Sequence, residues 1–328
     1  MKFAILAPGK IAHMMAKTVT QLEEVECYAV ASRSYDRAEA FAKQWNFEKA
    51  YGSYEELAED PEVELVYIAS PHSHHYEHAK LCLEHGKHVL LEKAFTVNAA
   101  QAEELIALAK EKKLLLAEAI WTRYMPGRKL LDDLLADGVI GNVTSLTANL
   151  GYVLTNVERM IKPELAGGAL LDVGVYPINF ALMTFHSEVA EIDTTAVMSD
   201  KGVDLMNSVT LTFTDGKMAV LHSSMQSLTD REGVIFGDQG YIEVQNINNC
   251  EEIRIYDLDR NLVRHVNVPE QITGYEYEVL SCIKAIREGK SECPEMPHEE
   301  TLRVMRLLDE IRSKWRIKFP CEKTDYYI

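Results

Sequence analysis

The first 117 residues alternate short, wholly apolar runs with amphipathic helical stretches, and that alternation restricts the fold more than any other feature of the chain. The apolar runs lie at 3–6, 27–31, 65–69, 88–91 and 114–117 and carry no polar alternation. Strands of a parallel sheet read this way because helices bury both faces. Helical patterns fill the gaps at 11–22, 36–45, 76–85 and 99–110. Ser53-x-x-Glu56 is a capping box for a further short helix, and Asn98 is placed to cap the helix that starts at Ala99. Strand and helix in turn predict right-handed crossovers and a doubly wound, Rossmann-type α/β domain.

After Trp121 the texture changes. The pattern predicts a helix at 127–136, a strand at 143–151 and a glycine-rich entry to a helix at 169–183. Alternating strands follow at 192–197, 205–213, 217–225, 233–236, 241–244 and 253–256, with Asp215-Gly216 as a hairpin signal. Helices at 275–288 and 298–315 close the chain. A chain of 328 residues is too long for one ordinary core. Two domains are therefore expected: residues 1–120 of Rossmann type, and residues 121–328 an α+β domain around a largely antiparallel sheet. The C-terminal helices could pack back on the first domain.

Charge and cysteines narrow the setting. A net charge of −17 argues against nucleic acid or an anionic membrane as partner, since both need a basic face. Cys27, Cys82, Cys250, Cys282, Cys293 and Cys321 show neither C-x-x-C pairing nor metal-finger spacing, which reads as reduced thiols in a cytoplasm. The apolar start ends at Pro8-Gly9-Lys10, too early for a signal peptide or a membrane span. It reads as a buried first strand.

The turn after that strand is Ala7-Pro8-Gly9-Lys10-Ile11-Ala12, a G-x-G-x-x-G/A fingerprint with alanine in place of its first glycine. Gly9 would let the backbone approach a pyrophosphate, and Ala12 would let the helix pack close to the strand. The helix start offers free N–H groups and a positive dipole end to phosphates. A methyl at Ala7 is expected to require a negative φ. A purely structural strand–helix turn is the alternative. The second strand ends Ala31-Ser32-Arg33-Ser34, without the acid that holds the ribose 2′-OH of NAD. Arg33, with Ser32 or Ser34, could instead hold a 2′-phosphate, which favours NADP and leaves NAD possible. A surface arginine before a helix cap is the alternative.

Three more blocks carry a family resemblance: Leu91-Glu92-Lys93-Ala94, Glu118-Ala119-Ile120-Trp121-Thr122-Arg123 and Gly167-Gly168-Ala169-Leu170-Leu171-Asp172-Val173-Gly174-Val175-Tyr176-Pro177. With the N-terminal turn they resemble the Gfo/Idh/MocA oxidoreductases, the glucose–fructose oxidoreductase and inositol dehydrogenase family, over essentially the whole chain. The last two blocks are most similar to its dihydrodiol and NADP-dependent D-xylose dehydrogenase branch.

The resemblance implies roles. Lys93 matches the lysine of the family's E-K-P motif, which reaches the reacting hydroxyl beside the nicotinamide, and Glu92 helps order the cofactor end. The motif's proline is Ala94 here, and the cis bond common before that proline would be costly before alanine, which leaves the local backbone open. Asp172 and Tyr176 match the D-x-x-x-[HY] pair and share one face of a helix start. Tyr176 is expected as the acid/base, Lys93 as its electrostatic partner and Asp172 as the group orienting lysine or substrate. An ordinary first-turn carboxylate and a half-buried packing tyrosine are the alternatives. Trp121 and Arg123 are expected to line the cofactor and substrate cleft, though Trp121 could equally be a packing residue. Leu150 and Tyr152 join Tyr176 in the substrate pocket.

The loop after the third strand is expected to cover the cofactor through Ser70, Pro71, His72 and His75, of which Pro71 and His75 match the family's P-x-x-x-H. A zinc site could be drawn on His74, Glu77 and His78, but the H-E-x-x-H order is absent and no further ligand completes a shell. No metal is expected. The reading is an NADP-preferring dehydrogenase acting on a hydroxyl of a sugar or cyclic diol. It is expected as a homodimer or dimer of dimers through a free face of the C-terminal sheet. A dinucleotide-binding regulator of the same fold is the alternative.

Overall fold

Residues 1–322 are described by a computed structural model of the chain, and residues 323–328 of the expected second domain lie outside them. The chain divides into two compact units. The first holds Met1–Tyr124 and Gln271–Met305, and the second holds Met125–Glu270 and the chain from Arg306. The segment 271–305 therefore belongs with the Rossmann half.

In the first unit the order is β1 (Lys2–Leu6), α1 (Lys10–Val19), β2 (Glu26–Ala31), α2 (Tyr35–Trp45), β3 (Lys49–Tyr51), α3 (Tyr54–Glu59), β4 (Leu65–Ile68), α4 (His75–Glu84), β5 (His88–Glu92), α5 (Ala99–Lys112) and β6 (Leu116–Ala119). The sheet is parallel throughout, ordered β3-β2-β1-β4-β5-β6. Residues Phe3 to Leu6 and Leu65 to Ile68 are wholly buried, as two-sided helix cover requires. Ser53 and Glu56 form the capping box, and Asn98 Oδ1 accepts from Gln101 N at 3.0 Å.

Two details differ from the sequence reading. β3 went unseen because its residues are only half-buried and too few to form a pattern. β6 starts later than the 114–117 run, since pairing of Leu91 with Glu118 and of Glu92 with Ala119 draws a carboxylate into the strand. The strand order reverses between β1 and β4, and the carboxyl ends of β1, β4 and β5 carry the turns that hold most candidate residues.

The second unit holds α6 (Pro126–Ala136), β7 (Val143–Gly151), α7 (Val175–Thr184), β8 (Val189–Met198), β9 (Asp204–Phe213), β10 (Met218–Ser224), β11 (Gly233–Gly237), β12 (Gly240–Gln245), β13 (Glu252–Tyr256) and β14 (Leu262–Asn267). Its sheet is ordered β14-β13-β12-β11-β7-β10-β9-β8 and is antiparallel except where β7 meets β10. The alternation of β12 buries Ile242 and Val244 and turns Tyr241 and Glu243 outward. The stretch Pro163–Thr184 is apolar enough for a membrane span by composition, yet 94 % of its most apolar window is buried in the fold. A helix apolar all round is a core helix when protein surrounds it. β14 escaped sequence reading because it is exposed almost throughout, so no inward face marks it. Its Arg264 and His265 suit an edge strand. Of the closing helices, α8 (Glu276–Arg287) lies in the first unit, and α9 (His298–Trp315) runs from the first into the second.

Candidate active site

In the first unit, β1 delivers the turn Ala7–Gly9. Ala7 adopts φ +67°, against the expectation that a methyl there requires a negative φ. Two hydrogen bonds hold it, from Ala7 N to Ala31 O at 3.0 Å and from Gly9 N to Ala7 O at 2.8 Å. A left-handed alanine costs roughly 1–2 kcal/mol, which the surrounding turn must offset. Gly9 is the N-cap of α1 with no side-chain cap bond, and the first turn holds no acid. The amides of Lys10, Ile11 and Ala12 and the positive helix end therefore suit an anion. A methyl built on Gly9 would lie no nearer than 3.9 Å to any other group, so protein does not fill the space above the turn. These residues fit a pyrophosphate.

β2 ends in Ala31, and Ser32 Oγ accepts from Ser34 N at 3.3 Å. Arg33 is exposed and interacts with Tyr54 and His78. Tyr54, which sequence reasoning did not single out, meets the His78 ring edge-on at 4.6 Å. His78 Nδ1 lies 2.9 Å from Ser70 Oγ. Burial first, then the neighbouring histidines and Arg33, pushes His78 down to about 4, so its ring is neutral at pH 7. The residues expected at the ribose phosphate and those of the loop after β4 thus meet through Tyr54 and His78.

His75 serves differently from a cofactor cover. It is buried, with Nε2 2.8 Å from Ser70 O and Nδ1 2.8 Å from Ala94 O, and burial pushes it down to about 4. It ties the loop after β4 to the loop after β5, while His72 packs edge-on against it at 5.5 Å. Pro71 precedes a short 3-10 turn, His72–His74. Among the described residues no three His, Cys, Asp or Glu side chains converge as metal ligands.

β5 ends in Glu92, and half-buried Lys93 follows. The Lys93–Ala94 peptide is cis, the isomer expected to be disfavoured before alanine. The Glu92 carboxylate accepts from Tyr67 OH and from Lys93 N, the latter at 3.1 Å. Glu278 of α8 is wholly buried in the same cluster, and burial together with the Glu92 charge pushes its carboxyl well above the usual range. Trp121 stacks on Tyr275 with ring centroids 4.2 Å apart. Arg123, expected to contact cofactor or substrate, is buried and donates to Glu300 Oε2 at 3.0 Å. Tyr275, Glu278 and Glu300 all lie in the 271–305 segment, which the sequence reading placed in the other domain.

In the second unit the catalytic candidates sit where two glycines enter a helix. A methyl on Gly167 would meet Met160 O at 2.5 Å, and one on Gly168, at φ +119°, would meet Asp204 Oδ1 at 2.3 Å. Only glycine lets the chain pass. The helix then opens with a π-turn, Leu170–Gly174, so Asp172 and Tyr176 straddle a change of helix type instead of sharing one regular α-helical start. Both are largely buried. Asp172 Oδ1 accepts from Arg159 Nη1 at 3.0 Å, a partner without any sequence signal. Leu150 is wholly buried on β7, which moves it from the expected pocket lining into the core. Tyr152 accepts at its hydroxyl from Asn248 Nδ2 at 3.1 Å.

Comparison with known proteins bears on the whole chain. Residues 1–119 match the model of an oxidoreductase family with an NAD-binding Rossmann fold, and residues 129–243 match the GFO/IDH/MocA C-terminal domain. A trans-1,2-dihydrobenzene-1,2-diol dehydrogenase from Xenopus tropicalis is 32% identical, over 97% of this chain and 99% of its own. A D-xylose 1-dehydrogenase (NADP(+)) from Hypocrea jecorina is 34% identical, over 98% and 93%. KijD10, a 3-ketoreductase from Actinomadura kijaniata solved with NADP and TDP-benzene, superposes with a TM-score of 0.85 at 28% identity, over 95% of this chain and 97% of its own. The chain belongs to the Gfo/Idh/MocA family of oxidoreductases.

Proposed function

We infer that the chain is an NADP-linked dehydrogenase that oxidises a hydroxyl of a sugar or cyclic diol and reduces the matching carbonyl in reverse. One observation carries this reading. The uncapped, acid-free start of α1 and the Glu92–Lys93 pair stand at carboxyl ends of strands in one parallel sheet. The relatives support the substrate class, being by name a diol dehydrogenase, an NADP(+)-using xylose dehydrogenase and a ketoreductase solved with NADP.

Gly9, Lys10, Ile11 and Ala12 would hold the pyrophosphate, and Ser32 and Arg33 the 2′-phosphate. When bound, the nicotinamide ring supplies the hydride acceptor or donor. Tyr176 Oη takes the alcohol proton during oxidation and returns it during reduction, Asp172 orients the substrate, and Lys93 acts on the reacting hydroxyl electrostatically. A second copy of the chain covers the outward face of the eight-stranded sheet, where Met218 and Val220 are exposed. The free thiols support a cytoplasmic location.

The test is NADP reduction with a panel of aldoses and cyclic diols, run beside Lys93→Met. The variant should lose turnover on the order of a hundredfold or more while NADPH affinity stays within several-fold. Tight NADPH binding without turnover on any panel member would instead favour the dinucleotide-binding regulator. Turnover undiminished in Lys93→Met would remove Lys93 from the chemistry.

A further inference from the structure

Asp204 opens β9, is 2 % exposed and takes no part in the roles assigned above. Its Oδ2 accepts from Leu170 N at 2.8 Å and from Asn207 Nδ2 at 2.9 Å. Asn207 is itself oriented, because its Oδ1 accepts from Ser223 Oγ at 2.9 Å. The backbone of Ala169 also bonds the carboxylate, and Oδ1 occupies the space that a side chain on Gly168 would need. From β10, Ser223 Oγ additionally abuts Gly174, where an added methyl would stand 3.0 Å away. The π-turn that carries Asp172 is thus gripped at its first residue by Asp204 and has Ser223 beside its last, and Tyr176 follows two residues later.

We propose that Asp204 is a positioning residue for the reaction: its carboxylate fixes the π-turn and so aims Asp172 and Tyr176. The proposal rests on the roles given to those two residues under the proposed function. The groups bonded to Asp204 all donate: the amides of Ala169 and Leu170 from the helix start, and its own amide and Asn207 from its own strand. Behind Asn207, on β10, stand Ser223 and His222, whose Nδ1 lies 2.9 Å from Asn207 O. The charged pair of the turn itself is Asp172 with Arg159. A ring of donors fits the ionised carboxylate and leaves a protonated one with no acceptor for its O–H. Burial pushes the carboxyl up to about 6, against the pull of Asn207 and the amides of Leu170, Asp204 and Ala169. The bonds that aim the turn are therefore those of a carboxylate above that pH, while protonation favours the closed turn over an opened one.

The test joins amide hydrogen exchange of the peptide containing 165–180 with steady-state kinetics on the full-length protein, from pH 5 to 8. In the parent, protection of the Leu170 region should rise as pH drops through about 6, after correction for intrinsic exchange, because the closed turn holds the proton more tightly than an opened one. Over the same range kcat should fall, as the carboxylate that aims the turn is lost. Asp204→Asn should lower kcat on the order of tenfold or more and flatten this acid limb, with KM for NADP within twofold. Unchanged protection in parent and variant would overturn the grip. Changed protection with an unchanged kcat and acid limb would make Asp204 merely structural and overturn the positioning role. A parent inert on every substrate, yet with pH-dependent protection, would overturn the oxidoreductase reading while the grip stands. If Asp204→Asn does not fold, the parent's paired pH series decides: a kcat that stays constant over the pH range in which protection changes overturns the proposal.

Discussion

Two helix starts in this protein are built in opposite ways. α1 begins at Gly9 with no side-chain cap and no acid in its first turn. The helix that bears Asp172 begins against a buried carboxylate from another strand, which takes up the amide of Leu170. An open start keeps its N–H groups and dipole for a ligand. A closed start gives them up internally, and what it gains is a defined direction for the side chains that follow. Binding and chemistry thus call for different treatment of the same four backbone donors.

The largest expected effect tests the closed start. Tyr176→Phe keeps the ring and removes only the hydroxyl, so oxidation and reduction should both slow by about 10²–10⁴-fold while NADPH affinity stays within twofold. Rates near those of the parent would show that the closed start aims nothing at the reaction. A smaller effect is expected at the binding end. Arg33→Ala should weaken NADPH by about 1–3 kcal/mol and leave NADH nearly untouched, as titration by nicotinamide fluorescence would show. Equal weakening of both cofactors would mean that Arg33 acts on something other than the 2′-phosphate. The smallest effect concerns the backbone leading into the open start. Ala7→Gly removes a Cβ from a left-handed residue, so urea unfolding should show a gain of about 0.5–1 kcal/mol with kcat unchanged. A loss of stability would mean that packing of the methyl, and not the turn, holds that backbone.

Much of the fold was legible because its signals are local. Five of the six strands of the parallel sheet follow from apolar runs, and the caps at Ser53 and Asn98 stand where short side chains precede helical patterns. β3 and β14 were not legible, one too short and the other too exposed to carry a hydrophobic period. The candidate site divides in the same manner. Motifs led to Gly9, Arg33, Lys93, Asp172 and Tyr176. The partners that hold such residues lie far along the chain: Tyr67 is 25 residues from Glu92, Asp204 is 34 from Leu170, and Glu300 is 177 from Arg123.

What the sequence determined by itself is therefore the set of groups and the local backbone that presents each one. Periodicity within a strand or helix dictates which face is buried, and a short motif dictates which atoms a turn can offer, since both act between residues a few positions apart. Only the tertiary structure decided that Ala7 takes a positive φ, that His75 ties two loops together, that Arg123 is held by Glu300 and that Leu150 is core. It also decided that the start of the Asp172 helix is closed by Asp204. Each of these depends on a hydrogen bond or a packing contact made when distant segments meet. The free energy of burying a polar group is set by the partner it finds there, which no stretch of neighbouring residues specifies.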